Sequence, residues 1–250
     1  MQLEALGAEP ILIPTIEVAP PTSFTALDTA LANLSAPGDS SANKYDWLIF
    51  TSANAVHSLA ARAHQQGTTL YPKRIAAIGP GTSKAVEEAG LIPQLGPILL
   101  PEKYVAESLA DSLLAHAEPP SQHFLLVRAE EARDIIPTTL EAAGHRVTIA
   151  AAYRNITPPD TLPSLEKLFS EKSNYPDAIT FTSSSTARNL LALLESIGLT
   201  IPPGITLASI GPITSATLRE LGHKPTLEAP EPTVEALTHT IASHLRLKTT

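Results

Sequence analysis

The second half of this chain repeats the first. Tyr45-Asp46-Trp47-Leu48-Ile49-Phe50-Thr51-Ser52 recurs as Pro176-Asp177-Ala178-Ile179-Thr180-Phe181-Thr182-Ser183, an offset of 131 residues. Ile75-Ala76-Ala77-Ile78-Gly79-Pro80-Gly81-Thr82-Ser83 recurs as Leu207-Ala208-Ser209-Ile210-Gly211-Pro212-Ile213-Thr214-Ser215, at 132. A period this long is a duplicated domain and not a solenoid. Each block is a short apolar run rich in β-formers, then Thr-Ser or Gly-Pro, then helical spacing, as in Val56, Leu59 and Ala60 or Leu190, Leu191 and Leu194. The second helix of each copy closes at Gly90 or Gly222, where glycine supplies a left-handed residue. Strands alternating with helices imply parallel sheets with helices on both faces, so the expected class is α/β with two similar doubly wound domains.

A third match is incomplete. Leu3-Glu4-Ala5-Leu6-Gly7 pairs with Leu140-Glu141-Ala142-Ala143-Gly144 at 137 residues, and both read as helix ends. In the later copy the strand His123–Arg128 precedes that helix. The repeat therefore predicts an apparent N-terminal truncation that places Met1 inside an element. Extended segments follow, over Pro10–Val18 and Val147–Ile156. Pro20-Pro21 and Pro158-Pro159 close them, because proline removes a ladder donor.

Composition excludes several classes. A formal charge of −8 without a basic cluster argues against nucleic-acid binding. No run reaches the ~18 apolar residues of a membrane span, and the first residues lack a signal-peptide pattern, so a cytoplasmic protein is expected. With no cysteine, disulfides and thiolate chemistry are out of reach. The histidines lack metal-ligand spacing, and Gly79-Pro80-Gly81 completes neither a dinucleotide fingerprint nor a P-loop. No metal and no cofactor are therefore expected. Ser183 to Ser185 form no nucleophile elbow.

In open parallel sheets ligands bind beyond the carboxyl ends of the strands, where both Thr-Ser pairs and both Gly-Pro turns fall. Thr51, Ser52 and Asn54, and Ser183, Ser184 and Ser185, open helices whose free N–H groups suit carboxylates or phosphates; they could equally be caps and nothing more. Gly79 with Thr82, and Gly211 with Thr214, carry the same two readings. Arg128 at a strand end and Arg133 early in the next helix could each clamp a carboxylate, or be a solvated surface arginine, a reading that suits Arg133 better. Tyr153 in a small-residue strand reads as packing with one hydroxyl to offer.

The ordered pieces Pro14-Thr15-Ile16-Glu17-Val18, Phe50-Thr51-Ser52-Ala53-Asn54, Val127-Arg128, Ala152-Tyr153-Arg154, Phe181-Thr182-Ser183, Ser209–Ser215 and Ala229–Val234 resemble the uroporphyrinogen-III synthase family over nearly the whole length. The resemblance implies two flavodoxin-like domains joined by a two-stranded linker. Residues 20–150 would be inserted, 1–16 with 158–250 would form the discontinuous domain, and 16–19 with 151–157 would link them. It departs at the N-terminus, where the family has a strand ending in Thr-Arg. It further implies a monomeric, cofactor-free lyase that cyclises the small molecule hydroxymethylbilane to uroporphyrinogen III, losing water and inverting ring D. The substrate's carboxylates would meet Ser52, Asn54, Ser183, Ser184 and Thr214, and Tyr153 would assist departure of the hydroxyl. The rival readings are a non-enzymatic two-domain anion binder and an inactive relative.

Overall fold

A computed structural model describes residues 2–35 and 44–248. The chain forms two units, unit 1 from Met1–Glu17 with Thr157–Thr250 and unit 2 from Val18–Ile156. The first elements are α1 (Gln2–Ala5), β1 (Glu17–Ala19), α2 (Thr25–Leu34), β2 (Trp47–Phe50), α3 (Ala53–Gln65), β3 (Arg74–Ala77), α4 (Pro80–Glu88) and α5 (Ala106–His116). Then come β4 (His123–Ala129), α6 (Ile135–Ala142), β5 (Arg146–Ile156), α7 (Thr161–Ser170), β6 (Ala178–Phe181), α8 (Ser184–Ser196), β7 (Thr206–Ser209), α9 (Pro212–Glu220), β8 (Leu227–Glu228) and α10 (Val234–Lys248).

Unit 2 is built on a five-stranded sheet of order β1-β5-β4-β2-β3, whose β2–β3, β2–β4 and β4–β5 pairs are parallel. Every side chain of β2 is buried, which is why its sequence is continuously apolar and not alternating. Leu48 and Phe50 join Leu27, Leu31, Val56 and Leu59 on one face; Trp47 and Ile49 join Leu109, Leu113, Phe124 and Ile136 on the other. The sheet is thus covered on both faces, as the repeat requires. Unit 1 holds the parallel sheet β6-β7-β8, with one core around Phe181, Leu165 and Leu190 and a smaller one around Ala208, Leu237 and Ile241.

One expectation changes. Residues 10–16 are not a strand: the ladder begins only at Glu17. Pro10 and Pro14 offer no N–H, and no described strand runs beside this segment, whereas Val147–Ile156 has β4 as a neighbour. The segments expected as linker strands, 16–19 and 151–157, coincide with β1 and the second half of β5, which lie side by side.

At the amino ends of the strands, Asp46 holds unit 2 together. Its carboxylate accepts the His123 N–H at 2.9 Å and pairs with Lys73 at 3.3 Å. The His123 ring, half-buried against the edge of Tyr45, sits 2.8 Å from Thr148 Oγ1. Burial, and then the charge of Arg146, hold its pKa below the ordinary 6.5, despite opposing help from Asp46 and the Lys44 backbone. A depressed histidine binds its proton more readily in the unfolded chain, so its contribution is complete above about pH 6.5 and is lost as pH falls below that. The Asp28 and Glu130 carboxyls, lowered by hydrogen bonds from Arg62 and from the Thr22 backbone, act in a lower window. We therefore expect the unfolding midpoint of unit 2, read by Trp47 fluorescence, to drop on acidification from about pH 7.5 to 5.5. His123→Gln should flatten that dependence; an unchanged slope would remove His123 as its source.

Candidate active site

The parallel strands β2, β3 and β4 bring the turns into α3, α4 and α6 to one end of the sheet of unit 2. Ser52 follows β2 and caps α3, its Oγ accepting the Ala55 N–H at 3.1 Å. The preceding first-turn amides, Ala53 and Asn54, have no acceptor among the described residues, so α3 presents open donors at its positive end. Asn54 is exposed and Thr51 half-buried beside them. Helix α4 starts next door, on the neighbouring strand, with Gly79 as its N-cap and Pro80 in the first turn.

Tyr153 reaches this end from two strands away. The phenol is 7% exposed, and its hydroxyl lies 3.0 Å from Ser52 Oγ. The register explains the reach: Phe50 pairs with Val127 and Val127 with Ala150, and then the β4–β5 ladder slips so that Arg128 pairs with Ala151 but Ala129 with Tyr153. The slip leaves Ala152 as an extra residue, a β-bulge. Ala152 and Tyr153 consequently bury on the same face, the one that also carries Ala150, Val56 and Leu59. Strict alternation would have turned Tyr153 away from Ser52. The small Ala129 beneath leaves the ring its path. Because Ser52 Oγ already accepts from α3, its proton can go to the phenol oxygen, or its remaining lone pair can take the phenol proton. Either way, the hydroxyl of Tyr153 is tied to the amino end of a helix.

Other expectations need correction. Arg128 does not stand ready as a clamp: its side chain is 9% exposed, with Nη2 donating to Asp134 Oδ1 at 2.6 Å and Nη1 to the Arg133 carbonyl at 3.0 Å. Its Nε is buried without a partner among the described residues. The guanidinium organises the β4–α6 turn. Arg133 lies in that turn, not in α6, and pairs with Glu107 at 3.6 Å. Thr82 and Thr214 are not caps. Gly79 and Gly211 occupy those positions, and the two threonines sit buried inside the first turns of α4 and α9.

Gly79 is extended, with φ −175°, so its backbone suits any residue. Space sets the requirement: a Cβ there would stand 3.2 Å from the Tyr104 ring. Tyr104, 60% exposed, thus packs against the Gly-Pro turn that starts α4. Sequence reasoning missed it, although a signal exists. Pro101-Glu102 with Glu107 and Leu109 matches Pro230-Glu231 with Glu235 and Leu237 once Lys103 is skipped. On that alignment Tyr104 meets Pro232, which packs 3.5 Å from the corresponding point on Gly211.

Unit 1 repeats the pattern with its hydroxyls more fully engaged. Ser183 caps α8, accepting the Thr186 N–H at 3.1 Å and lying 2.9 Å from Thr186 Oγ1. Ser184 accepts from Thr217 at 2.8 Å, and Ser209 is bonded to Ser215. Ser185 is exposed. The structure therefore brings Ser52 and Tyr153 together in unit 2, and Ser183 and Ser184 cap and brace helices in unit 1.

A family model described as uroporphyrinogen-III synthase HemD matches residues 1–239. The chain belongs to the uroporphyrinogen-III synthase family. It is 34% identical over 245 residues to the uroporphyrinogen-III synthase of Synechococcus elongatus, covering 94% of this chain and 86% of that one. With the uroporphyrinogen-III synthase of Chlorobaculum parvum it shares 27% over 232 residues, 89% of this chain and 84% of the other. Its fold is similar to a crystal structure of a mutant uroporphyrinogen III synthase from the extremely thermophilic bacterium Thermus thermophilus, with a TM-score of 0.60 and 20% identity over 100% of this chain and 93% of that one. These likenesses favour an enzyme over the anion-binding alternative.

Proposed function

We propose that the chain converts hydroxymethylbilane to uroporphyrinogen III, losing water and inverting ring D, with Tyr153 acting at the leaving hydroxyl. The observation that carries this is the phenol held 3.0 Å from Ser52 Oγ at the amino end of α3. In the bond-breaking step the C–O bond of the substrate's hydroxymethyl group cleaves. The oxygen takes the phenol proton and leaves as water, and Ser52, bonded to the same phenol oxygen, stabilises the charge that develops there. The cationic end of the substrate then closes on ring D through a spiro intermediate, which fragments and recloses with that ring turned round, and the proton released on closure restores the phenol.

The substrate's acetate and propionate groups are anions, and the open first-turn amides of α3 suit them without any net positive charge on the protein. In this reading a chain of charge −8 holds a polyanionic substrate through local donors. Tyr104 beside Gly79 offers a flat apolar surface for a pyrrole ring. Positioning supplies most of the remaining acceleration, because ring inversion is governed by how the linear molecule is folded. The partner is this small molecule, and the acting form is a cytoplasmic monomer. Among the described residues no helix is long and apolar enough to cross a membrane.

The test is to supply enzymatically generated hydroxymethylbilane, oxidise the products and separate the uroporphyrin isomers. We expect isomer III to predominate. Isomer I alone, the spontaneous product, would overturn the proposal.

A further inference from the structure

The first turns of α3 and α8 are duplicates of each other, but their surroundings carry different side chains. At the offsets of 131 and 132 residues, Ala53 and Ala85 of unit 2 correspond to Ser184 and Thr217 of unit 1. Ala85 belongs to the apolar cluster of unit 2 and Ala53 packs against it. In unit 1 the same place between α8 and α9 holds a hydroxyl pair, with Thr217 only 5% exposed and Ser184 half-buried. A buried hydroxyl costs free energy unless it is bonded, and the duplicate shows that alanine fills the space.

The pair has a direction. Thr217 Oγ1 donates to Ser184 Oγ at 2.8 Å, and the Ile213 carbonyl, one turn back in α9, is the poorer acceptor at 3.2 Å. With a lone pair of Ser184 taken, its own proton has no acceptor among the described residues and turns outward. Beside it are the Ser184 and Ser185 amides, the first of α8, which also lack acceptors there, while Ser183 Oγ takes the Thr186 N–H. Thr214 stands three residues before Thr217, on the same face of α9 and one turn nearer its start. It is 4% exposed, and its hydroxyl has no partner among the described residues. Two open amides, the Ser184 hydroxyl and the buried Thr214 hydroxyl thus stand together beyond the carboxyl ends of β6 and β7.

We propose that Thr217 is a positioning residue for carboxylate binding. By donating to Ser184 it holds that serine as an outward donor, and the Ser184 and Thr214 hydroxyls with the two amides grip one carboxylate of the substrate. The inference rests on the reading that the chain acts on hydroxymethylbilane, whose acetate and propionate arms supply that group. Thr217 itself touches no substrate. Its donation polarises Ser184, and a hydroxyl that accepts one hydrogen bond donates the next more strongly. A carboxylate suits the set because it only accepts, and the positive end of α8 favours its charge. The duplicated position in unit 2, with Ala53 and Ala85, has amides but neither of these hydroxyls.

The probe is uroporphyrinogen III, kept free of oxygen and titrated into the full chain while the Ser184 and Ser185 amide resonances are followed by nuclear magnetic resonance. In the unaltered chain both amides should shift and saturate together. Thr217→Val keeps the shape and removes the donor. It should raise the dissociation constant roughly tenfold, the scale of a hydrogen bond to a charged group. Thr217→Ser should restore it. Ser184→Ala combined with Thr217→Val should bind no more weakly than Ser184→Ala alone, because Thr217 acts through Ser184. The same variants should raise KM for hydroxymethylbilane with kcat little changed. An unchanged dissociation constant in Thr217→Val, with thermal stability alone altered, makes the threonine a brace between helices and overturns the proposal. No shift at Ser184 and Ser185 in the unaltered chain overturns it as well. Either result with isomer III still formed leaves the proposed reaction standing, whereas isomer I alone removes the reaction and leaves the titration to decide the role of Thr217.

Discussion

Phe50→Ala should cost unit 2 about 3–5 kcal/mol. Phe50 is fully buried at the carboxyl end of β2, in the cluster built from α2, α3, β4 and β5. Removing the ring takes away its transfer free energy and leaves a cavity among Leu27, Leu31, Val56 and Leu59, which are themselves fully buried and anchored on separate helices. Collapse into the gap is therefore limited. A domain's whole stability is about 5–15 kcal/mol, so the variant should sit near the edge of folding at room temperature. Trp47 is the only tryptophan and lies in β2, stacked on Phe124 with its indole N–H on Gln122, so urea unfolding followed by its fluorescence reads unit 2 alone. Phe181→Ala, the matching change in unit 1, should cost less, because the shell around it contains more half-buried side chains and can relax. A loss under about 1 kcal/mol for Phe50→Ala would mean that the packing around β2 is looser than these contacts require.

Tyr153→Phe tests the chemistry while sparing the ring. The stability of unit 2 should fall by only about 1 kcal/mol, the worth of one hydrogen bond. The rate of isomer III formation should drop about 10- to 100-fold, chiefly in kcat, with KM little changed because the carboxylate donors are untouched. Ser52→Ala should lower kcat in the same direction and also cost about 1 kcal/mol through the lost cap of α3. Ser52→Thr, which keeps both the cap and a hydroxyl, should recover most of the rate. A serine that acts only as the cap would lower stability in Ser52→Ala and leave kcat of the folded protein unaltered. An unchanged kcat in Tyr153→Phe would remove the phenol from the bond-breaking step.

Much of this architecture is legible without coordinates, and its physical basis is local. Trp47–Phe50 and Ala178–Phe181 are short apolar runs ended by a polar hydroxyl pair, and that pattern admits little besides strand, turn and helix. Ser52 and Ser183 cap because a short oxygen side chain at that point satisfies a helix amide within the same few residues. Gly90 and Gly222 terminate helices at φ +69° and +81°, a conformation few other residues adopt. All of these depend on neighbours within one turn of chain, and a duplicated sequence states them twice.

What only the tertiary structure decided depends on partners distant in sequence. The bulge at Ala152 comes from how β5 meets β4, and it alone turns Tyr153 toward a serine 101 residues away. Arg128 reads as an outward clamp until the Asp134 carboxylate is seen to take its guanidinium inward. Thr82 and Thr214 look like caps because residue type cannot tell a first-turn interior position, buried by tertiary packing, from the cap itself. Residues 10–16 have the composition of a strand but form none, since a strand exists only through the hydrogen bonds of a neighbour. The sequence by itself determined that strands and helices alternate and that the pattern comes twice. Pairing across long loops decided which side chains meet, because a ladder's register is a non-local property and a slip of one residue exchanges its two faces.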